Sequence, residues 1–85
     1  MIIRYTSTFD KHYKKLPPPI KHQAPQREII FRKNPMDPRL KTHALTGKLK
    51  GYYAFSLTHQ YRIILAFEPD GSVTFIDVGT HNIYR

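Results

Sequence analysis

Five histidines, at 12, 22, 43, 59 and 81, are the side chains in this 85-residue chain best suited to proton transfer near neutral pH. They show no metal-ligand spacing, and with no cysteine there is no thiolate site. The six Asp and Glu residues are too few and too scattered for a two-metal nuclease. No glycine-rich phosphate loop, H-E-x-x-H helix or G-x-S-x-G elbow is present. Any catalysis is therefore expected to need no cofactor and no metal. One reaction meets that condition and suits a basic protein: cleavage of RNA by its own 2′-OH. It requires a base for the 2′-OH proton, a cation for the pentavalent phosphorane, and an acid for the leaving 5′-oxygen. Histidine serves both proton transfers, and the planar fork of arginine matches phosphate oxygens.

The charge supports a polyanionic partner. Fourteen Lys and Arg against six Asp and Glu give a formal net charge of +8 and a pI near 10.0. Eleven of the fourteen basic residues, but only Glu28 and Asp37 among the acids, fall between positions 11 and 50. A small basic domain favours nucleic acid, a ribosome or an acidic protein. A composition of 40% hydrophobic and 13% aromatic residues excludes a disordered tail. The longest apolar run, Ile63 to Phe67, is too short to span a bilayer, and the N-terminus lacks a secretory signal. The expectation is one cytoplasmic domain over residues 1–85, without a membrane partner or a small-molecule cofactor. A domain of this size buries only about 60% of its unfolded surface, so a stable protein partner would help to hold it folded.

The elements that must position the chemistry follow from period and punctuation. Residues 2–5 read as a first strand. Phe9, Tyr13 and Leu16 fall on one helical face, with Ser7 or Thr8 as the expected cap. Pro17 to Pro19 end that helix. A second helix runs to about Lys33, with Ile20, Ala24 and Phe31 on one face and Pro25 as a kink or a later start. Residues 36–50 read as a loop. Strands follow over 52–58, 60–67 and 72–78, and Glu68-Pro69-Asp70-Gly71 is a turn between the last two. The expected class is α+β: β-α-α-β-β-β, an antiparallel sheet packed against two N-terminal helices.

Three motifs in order complete the reading: His43-Ala44-Leu45-Thr46-Gly47-Lys48-Leu49-Lys50-Gly51-Tyr52-Tyr53, then Tyr61-Arg62-Ile63-Ile64-Leu65, then Gly79-Thr80-His81-Asn82-Ile83-Tyr84. Together they resemble the RelE/ParE superfamily of type II toxin–antitoxin toxins, nearest in look to its YoeB- and YafQ-like mRNA interferases. The resemblance implies an endoribonuclease that cuts mRNA, with the ribosome and a cognate antitoxin as partners. It puts the general base at His43, the phosphate-stabilising arginine at Arg62, the general acid at His81 and a nucleotide-orienting aromatic at Tyr84. Charge alone adds Lys48 and Lys50 along the phosphate path. The chain departs from the YafQ-like branch at Ser56, Gln60 and Tyr61, which stand where that branch has histidine, an acid and tryptophan. It departs from the YoeB-like branch at His43, where that branch has an acid.

Each residue also has a plainer expectation. His43 would be a solvated loop histidine, and Arg62 would pair with Asp77 on the next strand. His81 would be a surface residue, and Tyr84 would pack the chain end. His12, His22 and His59 read as surface residues. A gyrase-inhibiting ParE-type toxin, or a binding-only relative, would share the fold without needing the two histidines and the arginine.

Overall fold

A computed structural model describes residues 1–84. Arg85 and the side chain of Tyr84 lie outside the described residues. The elements are β1 (Ile3–Tyr5), α1 (Ser7–Lys14), α2 (Pro18–Lys33), β2 (His43–Ala44), β3 (Tyr53–Ser56), β4 (Arg62–Phe67) and β5 (Val73–Gly79). Three short 3₁₀ turns, Pro38–Leu40, Gly47–Leu49 and His81–Tyr84, complete the chain. The strands form one sheet in the order β1-β5-β4-β3-β2.

The α+β class and the antiparallel β3-β4-β5 meander are as expected, with two additions. First, β1 pairs parallel to β5, Ile3 opposite Val73 and Tyr5 opposite Phe75, so the sheet is mixed. The helices between these strands supply the crossover that a parallel pair needs. Second, residues 36–50 are more ordered than a plain loop. His43 and Ala44 pair antiparallel with Ala54 and Tyr53, making β2 the far edge.

The helix α1 is capped by Thr6, one residue before the expected Ser7. Its hydroxyl accepts from Phe9 N at 3.0 Å and donates to the Ile76 carbonyl at 2.6 Å, so the cap also ties the end of β1 to β5. In α2, Pro18 and Pro19 occupy the first turn, where the missing N–H groups cost nothing. The helix then runs through Pro25 to Lys33.

Both helices bury their apolar stripes on one sheet face. Phe9, Leu16, Phe31, Phe55, Ile63, Leu65, Phe75 and Val78 form the centre of the core, flanked by Tyr13, Ile20, Ala24 and Ile30. Phe31 is fully buried, its ring 5.0 Å from Phe55 and 5.5 Å from Phe75. The outer sheet face is also covered at its centre, where Ala54 and Ile64 are buried. No helix among the described residues is long and apolar enough to cross a membrane.

Candidate active site

The antiparallel alternation of β2 to β5 brings four strand ends to one end of the sheet. His43 begins β2, Ser56 ends β3, Arg62 begins β4 and Gly79 ends β5. Ser56 pairs with Arg62 and Arg62 with Gly79, while His43 pairs with Ala54 and Ala54 with Ile64. Paired residues share a face and alternate residues return to it. His43, Ser56 and Arg62 therefore lie on the outer face, opposite the helices. His43 and Arg62 are two strand spacings apart, about 10 Å across the sheet, and His43 is level with Ile64, two residues or about 7 Å along β4 from Arg62.

Arg62 is half-buried and held by backbone oxygens. Its Nη1 donates to the carbonyls of Thr58 and His59, each at 2.9 Å, and of Tyr61 at 3.4 Å. These carbonyls belong to the β3–β4 turn, which Thr58 closes by accepting from Tyr61 N. The expected pair with Asp77 does not form. Asp77 is instead 2.6 Å from Nδ1 of His12 and accepts from its own neighbour, Val78 N. His12 is thus no plain surface residue; it ties α1 to β5. His22 and His59 are exposed, as expected.

His43 is exposed on β2, and its Nδ1 lies 3.0 Å from the Lys41 carbonyl. The segment before it is stiff. Asp37 accepts from the Arg39 amide and from its guanidinium, at 2.9 to 3.0 Å. That guanidinium, followed by the Arg39 amide, holds the Asp37 carboxyl down at about 2. Leu40 is fully buried, and the Thr42 hydroxyl donates to the Pro35 carbonyl.

The β2–β3 connection carries Lys48 in its 3₁₀ turn and Lys50 directly after it, both exposed. Gly47 (φ 66°) and Gly51 (φ 98°) bracket this turn in the left-handed region, which explains the glycine spacing of the first motif. A hollow of about 270 Å³ beside it is lined by His43, Leu45, Thr46 and Leu49.

His81 begins the 3₁₀ turn that follows β5 and is exposed. The turn lies against Gly79, where an added Cβ would sit 2.5 Å from Ile83 Cγ2. Glycine there lets the turn fold back beside the residue paired with Arg62. The arrangement thus collects His43, Arg62 and the base of the His81 turn at one end of the sheet. The Tyr84 side chain, expected as the nucleotide-orienting aromatic, lies outside the described residues.

A second hollow, about 300 Å³, opens between α1, α2 and the sheet, lined mainly by Tyr5, Phe9, Tyr13, Ala24, Pro25 and Ile63. Tyr5 donates to Glu28 Oε1 at 2.5 Å at its rim. Burial, and then the neighbouring Glu28 carboxylate, raise the Tyr5 phenol above its ordinary range. Among the described residues no group of three or more His, Asp or Glu is placed to hold a metal ion.

No family model matches the chain, and no curated protein matches it. Solved structures do. The YoeB/ParE toxin from Agrobacterium tumefaciens superposes with a TM-score of 0.79 at 16% identity, over 95% of this chain and 99% of that one. YafQ from E. coli gives 0.70 at 22% identity, over 96% and 94%. The RelBE2 toxin–antitoxin complex from Mycobacterium tuberculosis gives 0.66 at 20% identity, over 94% and 96%. Across nearly its whole length, the chain has the fold of the RelE/ParE-type toxins, YoeB and YafQ among them.

Proposed function

We propose that this protein is the toxin of a toxin–antitoxin pair and an endoribonuclease that cuts mRNA by 2′-OH attack, with the ribosome positioning the RNA. The observation that carries this reading is the convergence of His43, Arg62 and the His81 turn at one end of the sheet. The 2′-oxygen attacks phosphorus, the 5′-oxygen leaves, and a 2′,3′-cyclic phosphate and a 5′-OH result. His43 and His81 handle the two protons, and the Arg62 fork faces the phosphorane. Tyr84 orients the nucleotide, and Lys48 and Lys50 line the path of the phosphates. A site with so few catalytic groups gains from a second body that holds the RNA in line.

The apolar hollow between the helices, with exposed Tyr5 at its edge, suits the docking of an antitoxin segment. Expression without an antitoxin is expected to arrest growth and to cut mRNA within coding regions, read by primer extension. A substrate with a 2′-deoxy sugar at the cut site should bind and stay whole. Cleavage of that substrate, or a product ending in a 3′-OH, makes water the nucleophile and overturns the mechanism. Gyrase poisoning with intact mRNA would favour a ParE-type toxin instead. Neutralising Lys48 and Lys50 together should flatten the salt dependence of RNA binding, because fewer counterions are released.

A further inference from the structure

Lys41 is the single non-glycine residue with positive φ among the described residues, at φ 53° and ψ 38°. Left-handed backbone is unfavourable for a residue with a Cβ, and lysine has no short polar side chain to offset it locally. Such a conformation persists where its surroundings over-determine it. They do so here. Leu40, on one side, is fully buried. Lys41 N donates to the Pro38 carbonyl at 3.3 Å, closing the 3₁₀ turn. On the other side Thr42 is anchored to Pro35, and His43 is paired to β3. The chain must turn within one residue between a core anchor and a sheet edge.

That turn places the Lys41 carbonyl 3.0 Å from His43 Nδ1. A carbonyl oxygen only accepts, so the contact is a hydrogen bond only when Nδ1 carries the proton. A neutral imidazole has one N–H, which leaves Nε2 with the lone pair. We propose that Lys41 is a positioning residue: its left-handed backbone holds the proton on His43 Nδ1, and this makes His43 Nε2 the base that accepts the 2′-OH proton. The catalytic half of this inference rests on the nuclease reading; the tautomer rests on the geometry of Lys41 and His43 alone.

The step balances. Nε2 takes the 2′-OH proton as the 2′-oxygen to phosphorus bond forms. The bond from phosphorus to the 5′-oxygen breaks, and that oxygen takes a proton from His81, which enters the step as imidazolium. Exchange with water then returns the proton from His43 and restores the one on His81. The assignment divides two histidines that their residue type alone leaves equivalent.

The test reads the tautomer directly. Long-range proton–nitrogen correlation spectra of the ¹⁵N-labelled full chain, recorded about two pH units above the ordinary histidine pKa, separate a protonated ring nitrogen from an unprotonated one. His43 is expected as the Nδ1–H form, in contrast to the exposed His22 and His59, which should show the Nε2–H form usual in water. Lys41→Gly keeps access to positive φ and should keep both the tautomer and ribosome-dependent cleavage. Lys41→Val, β-branched and poorly suited to positive φ, should shift His43 toward Nε2–H and slow cleavage about tenfold or more, out of the hundredfold or greater that a positioned base supplies. If that variant does not fold, the wild-type and Lys41→Gly spectra still decide the tautomer.

A wild-type His43 in the Nε2–H form overturns the proposal. So does a tautomer shift in Lys41→Val with an unchanged cleavage rate, which would leave Lys41 no catalytic consequence. An Nδ1–H His43 in a wild-type protein that cuts no RNA overturns the base role together with the nuclease reading, while the hold on the tautomer stands.

Discussion

The two ends of β4 are built on different principles. At the Phe67 end the structure is made of rings: Phe67 lies 6.3 Å from Phe31 and 4.9 Å from Tyr53, and Phe31 continues into Phe55 and Phe75. At the Arg62 end it is made of constrained backbone. A left-handed Lys41, an arginine held by three carbonyls and a turn seated on Gly79 do the positioning. Apolar burial is non-directional and stabilises whatever it covers. Hydrogen bonds and fixed dihedrals are directional, and they are what a site needs to aim a nitrogen or a guanidinium. The ring end supplies stability that the aiming end draws on.

Phe31→Ala tests that division at its strongest point. Removing a fully buried ring from the centre of the core should cost about 3–5 kcal/mol, a large part of a small domain's stability. Denaturant melts should show it. At temperatures where the variant remains folded, the rate of RNA cleavage should be close to wild type. A specific loss of rate in the folded variant would break the comparison, because the ring end would then be aiming the site.

Arg62→Ala is the matching change at the other end. It should lower cleavage by about 10²–10³-fold, as loss of one preorganised donor to a developing oxyanion does, while RNA binding persists through the lysines. Arg62→Lys should recover little, because one ammonium that takes the turn carbonyls in place of Nη1 leaves no second nitrogen for the phosphate. Full activity in Arg62→Lys would reduce the residue to a point charge.

How far the sequence showed these two ends differs for the same reason. The ring end follows from period: Phe9 and Tyr13 on one helix with Leu16 two residues past its end, and Ile63, Leu65 and Phe67 on a strand with Tyr61 just before it, can be read directly. The aiming end depends on contacts that no local pattern encodes. The His12–Asp77 contact joins residues sixty-five positions apart. β2 is two residues long and exists because β3 offers it an edge. Lys41 carries no signal of its conformation, since left-handed turns are marked by glycine or asparagine, not lysine. Arg62 was visible as a charge in an apolar strand, but its partners proved to be carbonyls rather than Asp77, and carbonyls leave no trace in residue types.

Gly79→Ala sharpens the comparison, since here backbone geometry and packing meet. The new methyl would sit 2.5 Å from Ile83 Cγ2, and the β-branched Ile83 has few rotamers to yield with. The turn bearing His81 should move, at a cost of about 1–3 kcal/mol, and cleavage should fall more than binding. The double variant Gly79→Ala/Ile83→Ala should recover part of the cleavage rate, which a double-mutant cycle would register as coupling. Additive losses would mean that the close approach does not set the position of His81.

The smallest expected effect is one of pH on the segment that leads into His43. Asp37 is held at about 2, against an ordinary 3.8, chiefly by hydrogen bonds from the Arg39 guanidinium and amide. Its folded value lies below its unfolded one, so its contribution is complete above about pH 4 and is lost as pH falls toward 2. The carboxylate is partly covered but its Arg39 partner is exposed, so global stability should change little and the effect should be local. Below pH 4 the amides of Arg39 and Leu40 should exchange faster relative to their intrinsic, acid-slowed rates, while those of Phe31 and Phe55 in the core stay protected. Asp37→Asn should bring the fast exchange of Arg39 and Leu40 to neutral pH, because the neutral amide cannot accept the guanidinium with the same strength. Slow exchange at Leu40 in Asp37→Asn would show that core burial of its side chain, and not the Asp37 cap, keeps the approach to His43 in place.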